Sequence, residues 1–161
     1  MRAYAEKTTV SIERSRAEIE GILRRHGATA FGHRWNEEMA IIEFAAYERV
    51  IRFTLPLPAR DKFKTRIVRN HRQPCTPEQQ ETLWDQACRQ RWRALALAVK
   101  AKFEAITAGI SEFEEEFLAY VVDPGSRQTV YELMKPQINE QYLGNSAGQL
   151  LLAGPPTTTP G

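Results

Sequence analysis

A regular apolar stripe between residues 84 and 106 constrains the fold of this chain more than any other pattern in it. Thr76 and Pro77 suit the N-cap and the first position of a helix, and Gly109 suits its end. The stripe residues recur at steps of three and four and would occupy an arc of about 100° on a helix. They are Trp84, Cys88, Trp92, Leu95, Val99, Phe103 and Ile106. The pattern predicts one long amphipathic helix with basic residues along both edges of its apolar stripe.

The first 58 residues predict a strand, a helix and a three-stranded antiparallel meander. Residues 8–12 alternate as a strand would, and residues 16–26 have helical periodicity ended by Gly27. Turns are expected near residues 36–38 and 47–48, and Pro56 and Pro58 should stop the last strand. Ile19, Ile22 and Leu23 of the helix are expected to face inward. In the meander, one face of a strand is shared by Ala40, Ile42 and Phe44, and one face of the last strand is shared by Ile51, Phe53, Leu55 and Leu57.

Four helix starts carry the same local pattern, a hydroxyl residue followed three positions later by Glu or Gln. In such a capping box each side chain can bond a backbone N–H of the first helical turn. The pairs are Ser15 with Glu18, Thr76 with Gln79, Ser111 with Glu114 and Thr129 with Glu132. We therefore expect a short helix over residues 112–120 and a last helix after Thr129, in which Pro136 predicts a kink or a break.

These elements predict an α+β fold: a small antiparallel sheet with one N-terminal helix, followed by a long helix and a helical C-terminal part. The chain has 161 residues, of which 42% are hydrophobic, enough for one core. We expect a single domain over residues 1–143, divided into the strand, helix and meander of 1–58, a basic loop at 59–75 and a helical part at 76–143. Residues 144–161, rich in Pro and Thr, are expected to form a flexible tail.

Charge is unevenly distributed along the chain. Residues 59–75 hold six basic residues against one acid, a balance of +5, whereas residues 108–161 hold two basic residues against seven acids, a balance of −5. The formal net charge of +2 conceals this separation. A basic segment of this kind attracts polyanions or an acidic protein surface.

Other features favour a cytoplasmic protein. No apolar run approaches the roughly 20 residues of a membrane helix, so no membrane partner is expected. The start, MRAYAEKTTV, lacks the apolar stretch of a secretory signal. The two cysteines are too few for a disulfide framework, which fits a reducing compartment.

Several segments together resemble a known family. They are VSIERSRAEIEGILRRHGA, VIRFTLPLP, RWRALALAVKAKFEA and VYELMKPQINEQY. Over most of residues 8–142 the chain resembles an uncharacterised protein family encoded by tailed bacteriophages and prophages, and the RWRALALAVKAKFEA segment is the most specific part. The resemblance implies a phage origin and the cytoplasm of an infected bacterium, with no activity attached.

The basic segment and the long helix together predict a track for nucleic-acid phosphates. Several such contacts would release counterions and make binding dependent on salt. Phe63 lies among charges and could stack on a base, whereas Trp35 and Trp92 fit the core better. The alternative is a solvated linker with side chains that lie along the core stripe. The predicted nucleic-acid-binding residues are Arg60, Lys62, Phe63, Lys64, Arg66, Arg69, Arg72, Arg89, Arg93 and Lys100.

Metal binding and catalysis have little support. His71, Cys75 and Cys88 lack the paired close spacings of a structural zinc site. The acids at 114–116 fit the first turn of a helix, where they complement its dipole. No phosphate-binding glycine loop is present. We therefore expect no enzyme, no metal and no cofactor.

Two functions remain. The first is a phage nucleic-acid-binding protein, with single-stranded DNA favoured, that acts in annealing or as a recombination accessory. The second is a protein–protein module: an inhibitor of a host enzyme or defence complex, or a self-assembling component. In a homo-oligomer, the acids at 112–116 of one copy could meet the basic segment of another, or the edge of the meander could accept a strand.

Overall fold

The computed structural model describes residues 8–143 and confirms the α+β fold. The described chain begins with one α-helix, which is followed by a three-stranded antiparallel sheet and a separate two-stranded sheet. Three more α-helices come after the sheets. Residues 1–7 and the predicted tail at 144–161 lie outside the described residues.

Helix α1 spans Ile12–Arg25 and starts four residues earlier than predicted. Its N-cap is Ser11, whose Oγ accepts a hydrogen bond from the backbone N–H of Arg14. Ser15, the predicted cap, is instead buried inside the helix. The predicted strand at residues 8–12 is wrong, because residues 8–11 form no strand and the helix begins at Ile12. Within this segment the N–H of Val10 donates a hydrogen bond to Thr8 Oγ1.

The other predictions for α1 are confirmed. Ile19, Ile22 and Leu23 are buried, and they share the face that packs along the long helix. Gly27 has a φ of +83°, the left-handed conformation that ends a helix at low steric cost.

The three-stranded sheet is the predicted meander. Strands β1 (Ala30–Trp35), β2 (Met39–Ala46) and β3 (Arg49–Pro56) pair antiparallel in that order. Tyr47 and Glu48 both have positive φ and form the two-residue turn between β2 and β3. Side chains alternate between the faces of a strand, so one face of the sheet is apolar. Its buried members are Ala40, Ile42, Phe44, Ala46, Ile51 and Phe53.

Residues 60–74 form an ordered arm where the sequence favours a loop. A 3₁₀ turn at Arg60–Phe63 is followed by the antiparallel strands β4 (Thr65–Val68) and β5 (His71–Pro74). Arg69 and Asn70 have φ values of 49° and 64° and form the turn at the tip of this hairpin. We call residues 60–74 the basic arm.

Helix α2 spans Pro77–Thr107, as predicted. Thr76 and Gln79 form the predicted capping box, and Gly109 follows the end of the helix with a φ of +70°. Its fully buried residues are Cys88, Trp92, Ala96, Val99 and Phe103, whereas Trp84, Leu95 and Ile106 at the edges of the stripe are half-buried. Helix α1 and the sheet pack against this stripe.

A short helix, α3 (Phe113–Phe117), and a 3₁₀ turn at Leu118–Tyr120 close the core. The predicted cap at Ser111 is wrong, since Glu112 occupies the N-cap position and Ser111 Oγ donates to Glu116 Oε1 at 2.8 Å. The phenylalanines of α3 join a cluster of aromatic rings contributed by β2, β3 and α2. Its members are Phe44, Phe53, Phe103, Phe113 and Phe117.

Helix α4 spans Val130–Leu143. The predicted capping box is confirmed: Thr129 Oγ1 accepts from the N–H of Glu132, whose carboxylate accepts from the N–H of Thr129. The helix continues past Pro136, so the predicted break does not occur.

Candidate nucleic-acid interface

The two-stranded part of the basic arm presents arginines in three directions. Arg66 pairs with Gln73 and Ile67 pairs with Arg72. Because successive pairs of a ribbon point to opposite faces, Arg66 and Arg72 lie on opposite faces, and Arg69 lies at the tip. Every residue of the two strands is exposed except Val68, which is half-buried.

The basic arm carries cations that no acid neutralises. Lys62, Arg66, Arg69 and Arg72 are exposed and form no ion pair with the described residues. Charges without an acidic partner keep their full attraction for an anion, because no internal contact must be broken first. These four predicted residues all lie on the basic arm.

The other two basic residues of the arm are paired. Arg60 donates to the carboxylate of Glu81 on α2, and this hydrogen bond raises the pKa of Arg60 above its ordinary value. Lys64 Nζ, just after the 3₁₀ turn, lies 2.5 Å from Asp61 Oδ1. The first pair ties the base of the arm to α2, whereas the second lies wholly within the arm, and in both pairs the cation already has an acidic partner.

The predicted basic edge of α2 is also engaged in internal contacts. Arg89 pairs with Asp85 at 3.1 Å, and Arg93 pairs with Glu18 of α1. Lys100 is exposed, but about 24 Å of helix, at 1.5 Å per residue, separates it from Trp84, where the base of the arm contacts α2. The structure therefore does not join these three residues to the four free cations of the arm in one compact site.

The aromatic side chains differ from the sequence-based expectation. Phe63 is half-buried rather than exposed, and Trp92, 3% exposed, is a core residue as expected. Trp35 is 67% exposed, so its assignment to the core is wrong. It pairs with Ala40 on the inner face of the sheet, but it is the last residue of the edge strand β1, where the sheet ends.

All three tryptophans of the chain line one cavity of about 310 Å³. Trp92 and Cys88 belong to its inner wall, and Glu13 and Arg16 contribute charged side chains. Its lining residues are Ile12, Glu13, Arg16, Trp35, Leu57, Trp84, Cys88 and Trp92. We call this cavity the tryptophan pocket.

The tryptophan pocket adjoins the base of the basic arm. Trp84 Nε1 donates to the carbonyl oxygen of Pro58 at 2.8 Å, and Arg60 Cζ lies 3.9 Å from the centroid of the Trp84 ring. The indole of Trp84 therefore lines the pocket and also contacts the first residue of the arm.

The cysteine of the pocket is not an activated thiol. Burial raises the pKa of the Cys88 thiol to about 11, so the thiol is protonated near neutral pH and is a poor nucleophile. Cys75 and Cys88 are both free and buried. Among residues 8–143 no three His, Cys, Asp or Glu side chains lie close enough together to hold a metal ion.

A second charged surface, on the outer face of the sheet, is held together by internal ion pairs. Glu43 accepts hydrogen bonds from Arg52 Nε at 2.7 Å and from an Arg34 guanidinium nitrogen at 2.9 Å. Burial would raise the pKa of Glu43, but these bonds outweigh burial and hold the pKa below its ordinary value. Arg52 also donates to the carbonyl oxygen of Arg127 at 2.8 Å, which ties the sheet to the segment before α4.

Sequence reasoning missed the pocket. Trp84 and Trp92 lie eight residues apart on one face of α2, a spacing that is typical of a core stripe. The sequence does contain one signal that Trp35 is exposed. Trp35 is followed directly by the turn residue Asn36, so it lies at the end of a strand.

No protein-family model, curated protein or solved structure matches this chain. The resemblance to a phage-encoded family stays a prediction. No helix within residues 8–143 has both the length and the apolar character that crossing a membrane requires.

Proposed function

We propose that this protein binds nucleic acid through the basic arm, with backbone phosphates as the ligands. The supporting observation is the set of four exposed cations, Lys62, Arg66, Arg69 and Arg72, that have no acidic partner among the described residues. Annealing or recombination of single-stranded DNA in a phage-infected bacterium is the setting that the sequence pattern and the phage resemblance suggest for this activity.

The shape of the arm suits this role. A two-stranded ribbon is narrow enough to enter a nucleic-acid groove or to lie along a backbone. With arginines on both faces and at the tip, a ribbon can contact phosphates on either side of it. Arg60, which is held by Glu81 of α2, fixes the base of the arm.

Fluorescence anisotropy of labelled single-stranded DNA, duplex DNA and RNA at about 50 and 200 mM salt tests the proposal. We expect the triple variant R66A/R69A/R72A to bind more weakly than the wild type. The slope of log affinity against log salt should become shallower by up to about 0.9 for each phosphate that the variant no longer neutralises.

A matched control has the same change of net charge outside the arm. R14A/R25A/R91A removes three exposed arginines from α1 and α2. Affinity and salt slope should stay near the wild-type values in this control. Equal losses of affinity in both triple variants would show that only net charge matters, and wild-type affinity in the arm variant would exclude the arm as the binding site.

A second function, self-assembly through a protein–protein surface, is favoured by one observation. The side of α4 that faces Leu118 is apolar and borders a groove of about 650 Å³. Leu118, Tyr131 and Ile138 stay about half exposed there. An exposed apolar surface of this kind is typical of protein interfaces.

Light scattering over a range of protein concentrations tests the second function. If copies associate through α4, Ile138→Glu should shift the wild-type oligomer to the monomer mass, because a charge would enter an apolar interface. Gln137→Glu places the same charge on a neighbouring exposed position and should leave the oligomer intact. A wild-type protein that is monomeric at every concentration would exclude self-assembly.

A further inference from the structure

We infer that the tryptophan pocket takes up one unpaired nucleobase of a strand held by the basic arm. The inference rests on the proposed function and names its substrate as a single strand. It is based on the aromatic lining of the pocket, on the exposure of Trp35 and on the position of the pocket at the base of the arm.

The aromatic lining suits a base. Trp35 leaves two thirds of its surface in solvent, although an indole gains from burial. Trp84 is half-buried across the same cavity. A nucleobase is flat and has a π-face, so it can stack on an indole with little dependence on its identity.

The size and polarity of the cavity are consistent with a small planar ligand. At about 310 Å³ the cavity lies near the lower end of the range for small-molecule pockets. Glu13 and Arg16 are its charged lining residues, and they can meet the donor and acceptor groups on the edge of a base. Arg16 Nη1 lies 2.9 Å from His33 Nε2, and this contact holds the Arg16 guanidinium near the end of β1.

Charge complementarity selects a nucleic-acid strand over a free apolar ligand. Arg60 covers one face of Trp84 and begins the arm that carries the four free cations. The base of the arm adjoins the pocket, so a strand held on the arm can reach the pocket with one of its bases. A base in a duplex is stacked and paired, and it cannot enter the pocket without being flipped out.

Two labelled strands of about 12 nucleotides, one with bases and one abasic along its whole length, separate base contacts from phosphate contacts. We expect the wild type to bind the base-bearing strand about 5- to 150-fold more tightly, the contribution of one stacked base. Trp35→Ala should remove this difference and leave affinity for the abasic strand unchanged. Trp35→Phe, which keeps an aromatic face, should retain most of it.

Tryptophan fluorescence of the wild type provides a readout that needs no variant. The base-bearing strand should quench it, and the abasic strand should not. Equal wild-type affinity for both strands, or an equal loss of affinity for both in Trp35→Ala, would overturn the pocket inference. In that case the variant R66A/R69A/R72A still tests whether the arm binds phosphates, because the loss of phosphate contacts weakens the binding of both strands alike.

Discussion

Arg60 lies over the indole of Trp84, with its Cζ 3.9 Å from the ring centroid. The same guanidinium pairs with Glu81 one turn earlier on α2. This stacked and paired arginine joins the basic arm to the long helix, so the free cations of the arm start from a fixed point. A cation over an indole is stabilised by the ring quadrupole in addition to the ion pair.

We expect Trp84→Phe to loosen the base of the arm. Phenylalanine keeps a ring beneath Arg60 but removes the Nε1 hydrogen bond to the carbonyl oxygen of Pro58. The free energy of unfolding should fall by about 1 kcal/mol. Urea unfolding measures the loss, and amide exchange in residues 60–74 should become faster. Unchanged stability and exchange would show that this bond does not hold the arm.

Trp92 and Trp35 should respond very differently to truncation. Trp92 is 3% exposed, so Trp92→Ala leaves a core cavity and should lower the free energy of unfolding by about 3–5 kcal/mol. Trp35 is 67% exposed, and Trp35→Ala should cost about 1 kcal/mol or less. Chemical denaturation of both variants checks the contrast. A similar cost for both would place Trp35 in the core.

Replacing two serines, four residues apart at the start of α1, should affect stability differently. Ser11 caps the helix, so Ser11→Ala should lower the free energy of unfolding by about 1 kcal/mol. Ser15 is fully buried and its Oγ has no hydrogen-bond partner among the described residues. Ser15→Ala removes an unsatisfied hydroxyl and should be neutral or stabilising. Thermal unfolding of both variants measures these changes. A clear loss of stability in Ser15→Ala would mean that the hydroxyl has a hydrogen-bond partner.

Glu43 should make stability dependent on pH at the acid end. Its pKa is lower in the folded protein than in the unfolded chain, so its contribution is fully present above the unfolded pKa and is lost as pH falls through the folded pKa. Between about pH 5 and pH 3 the wild type should lose more stability than Glu43→Gln, which cannot titrate. Unfolding curves across this range test the prediction. If the free energy of unfolding fell equally with pH in both proteins, the ion pairs of Glu43 with Arg34 and Arg52 would contribute nothing to stability.

Much of the fold was predictable from local patterns. The stripe of α2, the alternation of β2 and the caps at Thr76 and Thr129 depend on residues that are close together in sequence. The start of α1 was missed because Ser11 and Ser15 are both plausible caps, and the choice depends on which of them the rest of the fold buries. The hairpin was missed because Arg69 and Asn70, the two residues of its turn, are a weak turn signal without glycine.

The helical and strand periodicities and the basic charge of the arm follow from the sequence, because hydrogen bonding within an element and side-chain direction depend on near neighbours. Some ion pairs are local as well, such as Arg89 with Asp85, but the fold is needed to pair a cation with an acid that is distant in sequence. Arg93 meets Glu18 from 75 positions away, and no local pattern announces that pair. The same holds for the pocket, where Trp35 of β1 and Trp84 of α2 line one cavity although they are distant in sequence. Burial and charge pairing are properties of surfaces that the folded chain brings together.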